Sequence, residues 1–299
     1  MTWHDVGVSA IVARYDRHAR LYERHWGPVI GPTAVRILDV VARWLPADGA
    51  GRTIVDVGAG TGTLSRATAR RWPGAEVIAI DPSSEMLALA AAHLRTDGAG
   101  GASVIVAAAD AMPLAAGTVD VVVSSFALQL VPDRPAALRE SARILRPGGH
   151  LAYVTWLDRG DPFAPHEAFD EAVLDLGVDE PDEPDEVRAG DLRSPAAAAA
   201  QLRRAGFAAV GTREITLRHA WTPESYLAYK LEYDEWALMR WLSRGDRVRL
   251  ERLARRRLAD LAPDDFVWTA DVVLAWGRRP DGVEAQPSRH GKMPAVTRS

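Results

Sequence analysis

The chain contains no cysteine, which excludes disulfide staples, thiolate metal centres and cysteine nucleophiles. Lysine is nearly absent too: Lys230 and Lys292 are the only two, so almost all of the positive charge is carried by arginine. With 36 basic against 40 acidic residues the net charge is −4, a mildly acidic balance that gives no reason to expect a nucleic-acid partner. Long apolar runs are also missing, so no membrane span is expected. The opening MTWHDVGVSAIVARYD has His4 and Asp5 where a secretory leader would carry basic residues. A cytoplasmic protein is the expectation. What the 299 residues do supply is 47% hydrophobic side chains, ample for one large α/β domain.

From residue 53 onward, short β-branched runs alternate with Ala, Leu and Arg-rich segments, the pattern of a doubly wound parallel sheet. The spacing predicts strands at 53–57, 76–80, 103–107, 119–124 and 150–156, with helices at about 62–71, 84–95 and 134–145. Two further strands are expected at about 207–218 and 266–277. The first 45 residues read as helical, punctuated by Gly27-Pro28 and Gly31-Pro32. Residues 158–200 contain DEPDEPDE from Asp179 to Glu186, whose prolines favour a solvated loop over a cation cage. The segment ERLARRRLADL carries Leu250, Leu253, Leu258 and Leu261 at amphipathic spacing, which predicts a helix with a charged outer face. The domain plan is a helical cover over 1–48, a ligand-binding domain over 49–279 with helices inserted at about 222–262, and a disordered tail over 280–299.

Within this plan, IVDVGAGTG at 54–62 is a strand running into a glycine-rich turn that opens a helix. Gly58, Gly60 and Gly62 lack the Cβ that would obstruct a ligand, and the turn is expected to offer main-chain N–H groups to it. Dinucleotide enzymes and class I S-adenosylmethionine (SAM) methyltransferases both use such a turn. The dinucleotide fingerprint requires glycine where this chain has Thr63, and the glycines here fall as G-x-G-x-G. The second strand ends at Asp81-Pro82, at the distance where one βαβ unit delivers a carboxylate to a ribose; Asp81 can equally cap the helix starting near Ser83. Met86 either packs beside a nucleoside or fills the core. SVIVAAADAMPL then places Asp110 just after the third strand, where it is also a turn former before Pro113. VDVVVSSFALQLVPD ends the fourth strand at Ser124-Ser125-Phe126, with Gln129 beyond, and ILRPGGHLAYVTW leads into the fifth.

These ordered motifs, covering residues 50–156, resemble class I SAM-dependent methyltransferases of the small-molecule type found in ubiquinone and menaquinone biosynthesis. Neither the [N/D]-P-P-[F/Y/W] tetrapeptide of nucleic-acid adenine methyltransferases nor the acidic ligands of metal-dependent catechol enzymes stands at the fourth strand end. The resemblance implies a seven-stranded sheet of order 3-2-1-4-5-7-6 with strand 7, FVWTADVVLAWGR, antiparallel, and SAM as cofactor with S-adenosylhomocysteine as product. It further implies a small methyl acceptor, no metal, and a monomer or homodimer. It places Asp56 near the amino group of the methionine part. The glycine turn (Gly58, Ala59, Gly60, Thr61, Gly62), Asp81, Pro82, Met86, Asp110, Ala111, Ser125, Phe126, Gln129 and Tyr15 complete the cofactor set, Asp110 and the Ala111 N–H reading adenine.

Ligands bind outside the carboxyl ends of such strands, so the acceptor must be met by elements covering that edge. Two aromatic stripes at helical spacing qualify: Tyr15, His18, Tyr22 and His25 or Trp26 in the N-terminal region, and Tyr226, Tyr229, Tyr233 and Trp236 in the insertion. Both stripes serve equally well as core packing. Read together, they predict an aromatic-walled pocket for a hydrophobic or aromatic acceptor, with Tyr22, Trp26, Tyr229, Tyr233 and Trp236 as its substrate wall. Metal-independent in-line displacement needs chiefly orientation. Where the acceptor must lose a proton, His18, His25 or Tyr22 is the candidate base, and Gln129 the candidate polar group at the strand end. A SAM-binding sensor or partner subunit without methyl transfer, and an NAD-linked oxidoreductase, are the other readings.

Overall fold

The computed structural model describes residues 3–160, 162–178 and 188–281. The acidic run at 179–186 and the tail from residue 282 lie outside them, so the expectations for those segments are not addressed by it. Seven strands form one sheet: β1 (Thr53–Val57), β2 (Glu76–Asp81), β3 (Ala102–Val106), β4 (Val119–Ser125), β5 (Leu145–Trp156), β6 (Ala208–Ala220) and β7 (Val267–Arg278). Their order is β3-β2-β1-β4-β5-β7-β6, with β7 antiparallel to both β5 and β6, as expected for the class I methyltransferase fold. Helices α1 (Trp3–His25), α2 (Gly27–Ala34) and α3 (Leu38–Val41) precede the sheet. α4 (Thr63–Arg71), α5 (Ser84–Thr96) and α6 (Arg134–Ile144) connect parallel strands, and α7 (Ala164–Leu176) and α8 (Pro195–Arg204) follow β5. α9 (Pro223–Tyr229), α10 (Trp236–Trp241) and α11 (Arg244–Ala259) form the insertion between β6 and β7.

Strand side chains alternate between the two faces of the sheet, and both faces are covered. Ile54, Val121, Val123 and Val154 enter one core with α2, α7 and the insertion, while Val55, Val57, Val122 and Tyr153 enter the other with α6 and α8. Burial on both sides is why the central strands read as unbroken β-branched runs and not as alternating patterns. On α11, Leu250 and Leu258 are buried and Leu253 partly so, as is Leu261 just past the helix end. Arg257 on its outer side pairs with Glu171 and Asp175 of α7, joining the insertion to the core helices.

Two differences from the expected elements have local causes. β5 begins at Leu145, ahead of the Pro-Gly-Gly turn, because the register with β4 shifts between Val119 and Val121 and Arg146–Gly149 bulge within the strand, Gly148 at φ +77°. α7 and α8 occupy parts of 158–200 where no helix was expected. Pro165 in the first turn and a left-handed Gly177 delimit α7, and Ser194 caps an alanine run in α8. The neighbouring proline-rich acidic run hid both. Among the described residues no helix is long and apolar enough to cross a membrane.

Candidate active site

A cavity of about 650 Å³ opens at the carboxyl edge of the sheet. Its floor is Val57, Gly58 and Gly60 after β1, Asp81, Pro82, Ser83 and Met86 after β2, Ala107–Asp110 after β3, and Ser125–Leu128 after β4. The wall facing them is α1, through Ile11, Tyr15, Asp16 and Tyr22. Asp16 fixes α1 to the sheet edge, accepting from Ser83 Oγ at 2.6 Å and from Glu85 N at 3.1 Å. Ser83 also caps α5, accepting from Met86 N.

Asp81 is 9% exposed, and its carboxylate accepts from Gly60 N and Ser83 N, each at 2.9 Å. It is therefore both the brace of the two turns and a cavity residue. Burial outweighs those two bonds and pushes its pKa up to about 6. Each oxygen retains a lone pair for a further donor, such as a ribose hydroxyl.

The glycine turn divides its work differently from the expectation of open N–H groups. Gly58 N and Ala59 N both donate to Ile80 O, Gly60 N to Asp81 and Gly62 N to Ala59 O, so these four are engaged within the protein. A Cβ on Gly58 would lie 2.1 Å from Ala127 Cβ, and one on Gly62 would lie 2.8 Å from Ala90 Cβ; both glycines are required by packing. Gly60, at φ +55°, would meet no protein atom within 4 Å, and it lines the cavity. Its missing side chain is room for a ligand.

Beneath the turn Asp56 is fully buried and does not line the cavity. Its Oδ2 accepts from Ser65 Oγ at 2.6 Å, while Oδ1 has no hydrogen-bond partner. Burial raises its pKa to about 7, with the Asp81 charge adding to the effect. Ser65 N in the first turn of α4 also bonds this carboxylate, which ties the helix start to the strand beneath the turn. The orphaned, buried Oδ1 is an acceptor that suits a cationic group such as the ammonium of the methionine part of SAM.

Beyond β4, Phe126 holds φ +50°, a sparsely populated conformation for a non-glycine residue. Phe126 N donates to Val154 O at 2.9 Å, and Phe126 O accepts from Gln129 Nε2 at 2.7 Å, whose Oε1 in turn accepts from Thr155 Oγ1 at 2.9 Å. The turn thus presents Phe126 to two cavities at once. The second, about 420 Å³, is lined by aromatic residues from four elements: Tyr15, Tyr22 and Trp26 from the N-terminal region, Trp156 from β5, Tyr229 and Tyr233 from the insertion, and Trp268 from β7. Trp26 stacks on Tyr229 at 5.5 Å and 17°, and Trp156 lies 4.4 Å from Phe126 and 5.7 Å from Trp268, ring centre to ring centre. Tyr15, Tyr22, Phe126 and Leu130 line both cavities.

Of the expected residues, Tyr15, Gly58, Gly60, Asp81, Pro82, Met86, Asp110, Ser125 and Phe126 line the first cavity. Ala59, Thr61, Gly62 and Ala111 do not, and Ala111 N donates to Ala108 O at 3.2 Å. Tyr22, Trp26, Tyr229, Tyr233 and Gln129 line the second. His18 and Trp236 line neither. At His18 the backbone leaves helical values (φ −112°, ψ 15°), which takes its ring off the Tyr15–Tyr22 face to lie 4.9 Å from Trp236. A π turn over Lys230–Asp234 inserts an extra residue into the second stripe, so Tyr229 and Tyr233 face the cavity while Trp236 turns to His18 and Arg17. His25 bonds Glu232 at 2.9 Å instead of facing a cavity.

Trp156 and Trp268 were not foreseen as site residues. The usable signal was that β7 is antiparallel, which brings its first residues, not its last, to the ligand edge.

Residues 55–153 match a family described as methyltransferase domain. The chain is 39% identical over 103 residues to a malonyl-[acyl-carrier protein] O-methyltransferase of Methylococcus capsulatus, which covers 34% of this chain and 37% of that protein. It is 36% identical over 120 residues to a ubiquinone/menaquinone biosynthesis C-methyltransferase of Syntrophotalea carbinolica, covering 40% of this chain and 50% of that one. The chain thus spans half or less of the length of these curated relatives. Among solved structures, the [4+2]-cyclase SpnF superposes with a TM-score of 0.54 at 20% identity, covering 83% of this chain and 81% of that chain.

Proposed function

Since residues 55–153 form a class I, SAM-binding methyltransferase domain, we propose that the protein transfers a methyl group from SAM to a small aromatic or hydrophobic molecule seated in the second cavity. The observation that carries this is the shared wall of Tyr15, Tyr22, Phe126 and Leu130, which sets an aromatic chamber against a nucleoside-sized cavity with a carboxylate at its floor. Asp81 would accept from the ribose hydroxyls, Asp110 would face the adenine, and Asp56 would meet the ammonium of the methionine part. Bound SAM supplies an electrophilic methyl group on a sulfonium.

The chain's own part is to orient the acceptor and exclude water. Gln129 has both amide atoms committed to Phe126 and Thr155, so it positions the strand end and moves no proton. The Tyr22 hydroxyl is held protonated through the whole physiological range by burial, with the Tyr15 and Asp81 charges adding to the effect. It serves as a hydrogen-bond donor and not as a base. Tyr22→Phe is therefore expected to lower kcat by less than about tenfold, whereas loss of a true general base costs on the order of a hundredfold or more. A loss of that larger size would restore Tyr22 as the base.

Calorimetry with S-adenosylhomocysteine tests the cofactor half. A hydroxyl donor favours the ionised Asp81 and a ligand ammonium the ionised Asp56, so binding should be flat well above about pH 7 and weaken as the pH falls through about 7 and then about 6, where the two carboxylates take up protons. Asp81→Asn should bind weakly and lose the lower step while keeping the upper one. Affinity rising as the pH falls would remove Asp81 from the ribose. Mass spectrometry of acceptor mixtures then tests transfer itself; S-adenosylhomocysteine binding with no acceptor gaining a methyl group would leave a binding protein.

A further inference from the structure

An aromatic chamber alone would suit a neutral acceptor, but three arginines also line the second cavity: Arg14 from α1, Arg159 after β5, and Arg188 ahead of α8. The Arg14 guanidinium lies over the Tyr15 ring, 5.1 Å from its centre, so it stands beside the wall shared with the cofactor cavity. Arg159 is oriented from behind, donating to both carboxylate oxygens of Glu214 at 3.1 Å and lying 3.8 Å from Asp271. Two carboxylates, Asp191 and Asp234, share the chamber. Asp234 is already matched, accepting from Lys230 Nζ at 2.7 Å and from Tyr229 OH at 2.8 Å. Asp191 is held above the usual carboxylate range by burial, only partly offset by Arg188, with Asp158 opposing its charge.

From this arrangement we infer that the methyl acceptor is a planar aromatic molecule bearing a carboxylate, its ring against Trp26, Trp156, Trp268 and Tyr229 and its carboxylate on Arg159 and Arg188. The inference rests on the methyltransferase reading and narrows its substrate class. A neutral molecule filling this chamber would cover Arg188 and the side of Arg159 turned away from Glu214 and Asp271 without bringing an acceptor to either, a cost that discriminates against it. A carboxylate instead matches the guanidinium fork, in which two parallel N–H donors meet two oxygens. Flat rings favour stacking on the tryptophan and tyrosine faces. The chemistry is thus amphipathic, with an apolar body and one anionic end.

The test uses two probes of equal shape, 3-hydroxy-2-naphthoate and its uncharged carboxamide, titrated into full-length protein saturated with S-adenosylhomocysteine. Quenching of tryptophan fluorescence gives the signal, since Trp26, Trp156 and Trp268 line the chamber. The carboxylate should bind at least about tenfold more tightly than the carboxamide. Arg159→Gln with Arg188→Gln should bring the two affinities together by weakening only the carboxylate. Neither residue lines the cofactor cavity, so S-adenosylhomocysteine affinity should be unchanged and reports that the fold is intact. Equal affinities in the unmodified protein, a preference that survives the double substitution, or binding of neither probe would each overturn the inference. Failure of the unmodified protein to bind S-adenosylhomocysteine would instead overturn the methyltransferase reading beneath it.

Discussion

Gly60→Ala should fold and yet lose at least about a hundredfold in S-adenosylhomocysteine affinity, because its methyl group enters the ligand's space. The neighbouring Gly58→Ala should instead lose stability. At Gly60 the new Cβ meets no protein atom within 4 Å, so the folded state bears only the left-handed backbone at φ +55°, a cost of about 1 to 2 kcal/mol. At Gly58 the same backbone cost, at φ +70°, is joined by a Cβ placed 2.1 Å from that of Ala127, for about 2 to 5 kcal/mol in all. That is a large share of the stability of an ordinary domain. Ala127→Gly in the Gly58→Ala background should recover the packing share and leave the backbone share. Thermal melts and calorimetry on the three variants separate the cases. A Gly60→Ala protein with full affinity would show that the turn does not hold the ligand.

Arg134→Met should be strongly destabilising although it lies outside the glycine turn. Arg134 is 2% exposed, and its hydrogen-bond acceptors among the described residues are all neutral: Leu128 O at 3.1 Å, Gly190 O, and Gln201 Oε1 at 3.5 Å. The guanidinium pins the loop after β4 to the segment ahead of α8, and these carry Phe126, Gln129, Arg188 and Asp191 into the cavities. Methionine fills the volume but leaves the buried Leu128 carbonyl and the half-buried Gly190 carbonyl without this donor, a loss of about 2 to 3 kcal/mol even after the guanidinium's own desolvation is relieved. The melting temperature should fall by roughly 5 to 10 °C for a chain of this size. Acceptor binding should weaken more than S-adenosylhomocysteine binding, because the ends of β1, β2 and β3, which Arg134 does not touch, carry most of the floor of the first cavity. An unchanged melting temperature would mean that the two segments are held by their other contacts.

The first cavity was legible because its signals are local. A glycine or an aspartate at a strand end has one sheet edge to serve, and Gly60, Asp81 and Asp110 stand where the spacing put them. Even there, the reason for Gly58 and Gly62 was out of reach, since Ala127 and Ala90 oppose them only in the folded chain. The second cavity was less legible because it depends on departures from regular periodicity. A continuous helix would keep His18 between Tyr15 and Tyr22, and an α-helical insertion would keep Trp236 in line with Tyr233; a kink and a π turn remove both. Arg14, Arg159 and Arg188 sit on three unrelated segments with no common period, so only tertiary structure gathers them.

The wall common to the two cavities has a thermodynamic consequence. Tyr15, Tyr22, Phe126 and Leu130 cannot adjust to one occupant without altering what the other meets. Whatever factor cofactor binding applies to acceptor affinity, acceptor binding must apply to cofactor affinity, because the two routes to the doubly occupied protein close a cycle. If the Phe126 turn tightens on one ligand, the second then finds it already ordered. Four side chains would then set the sign and size of one coupling free energy.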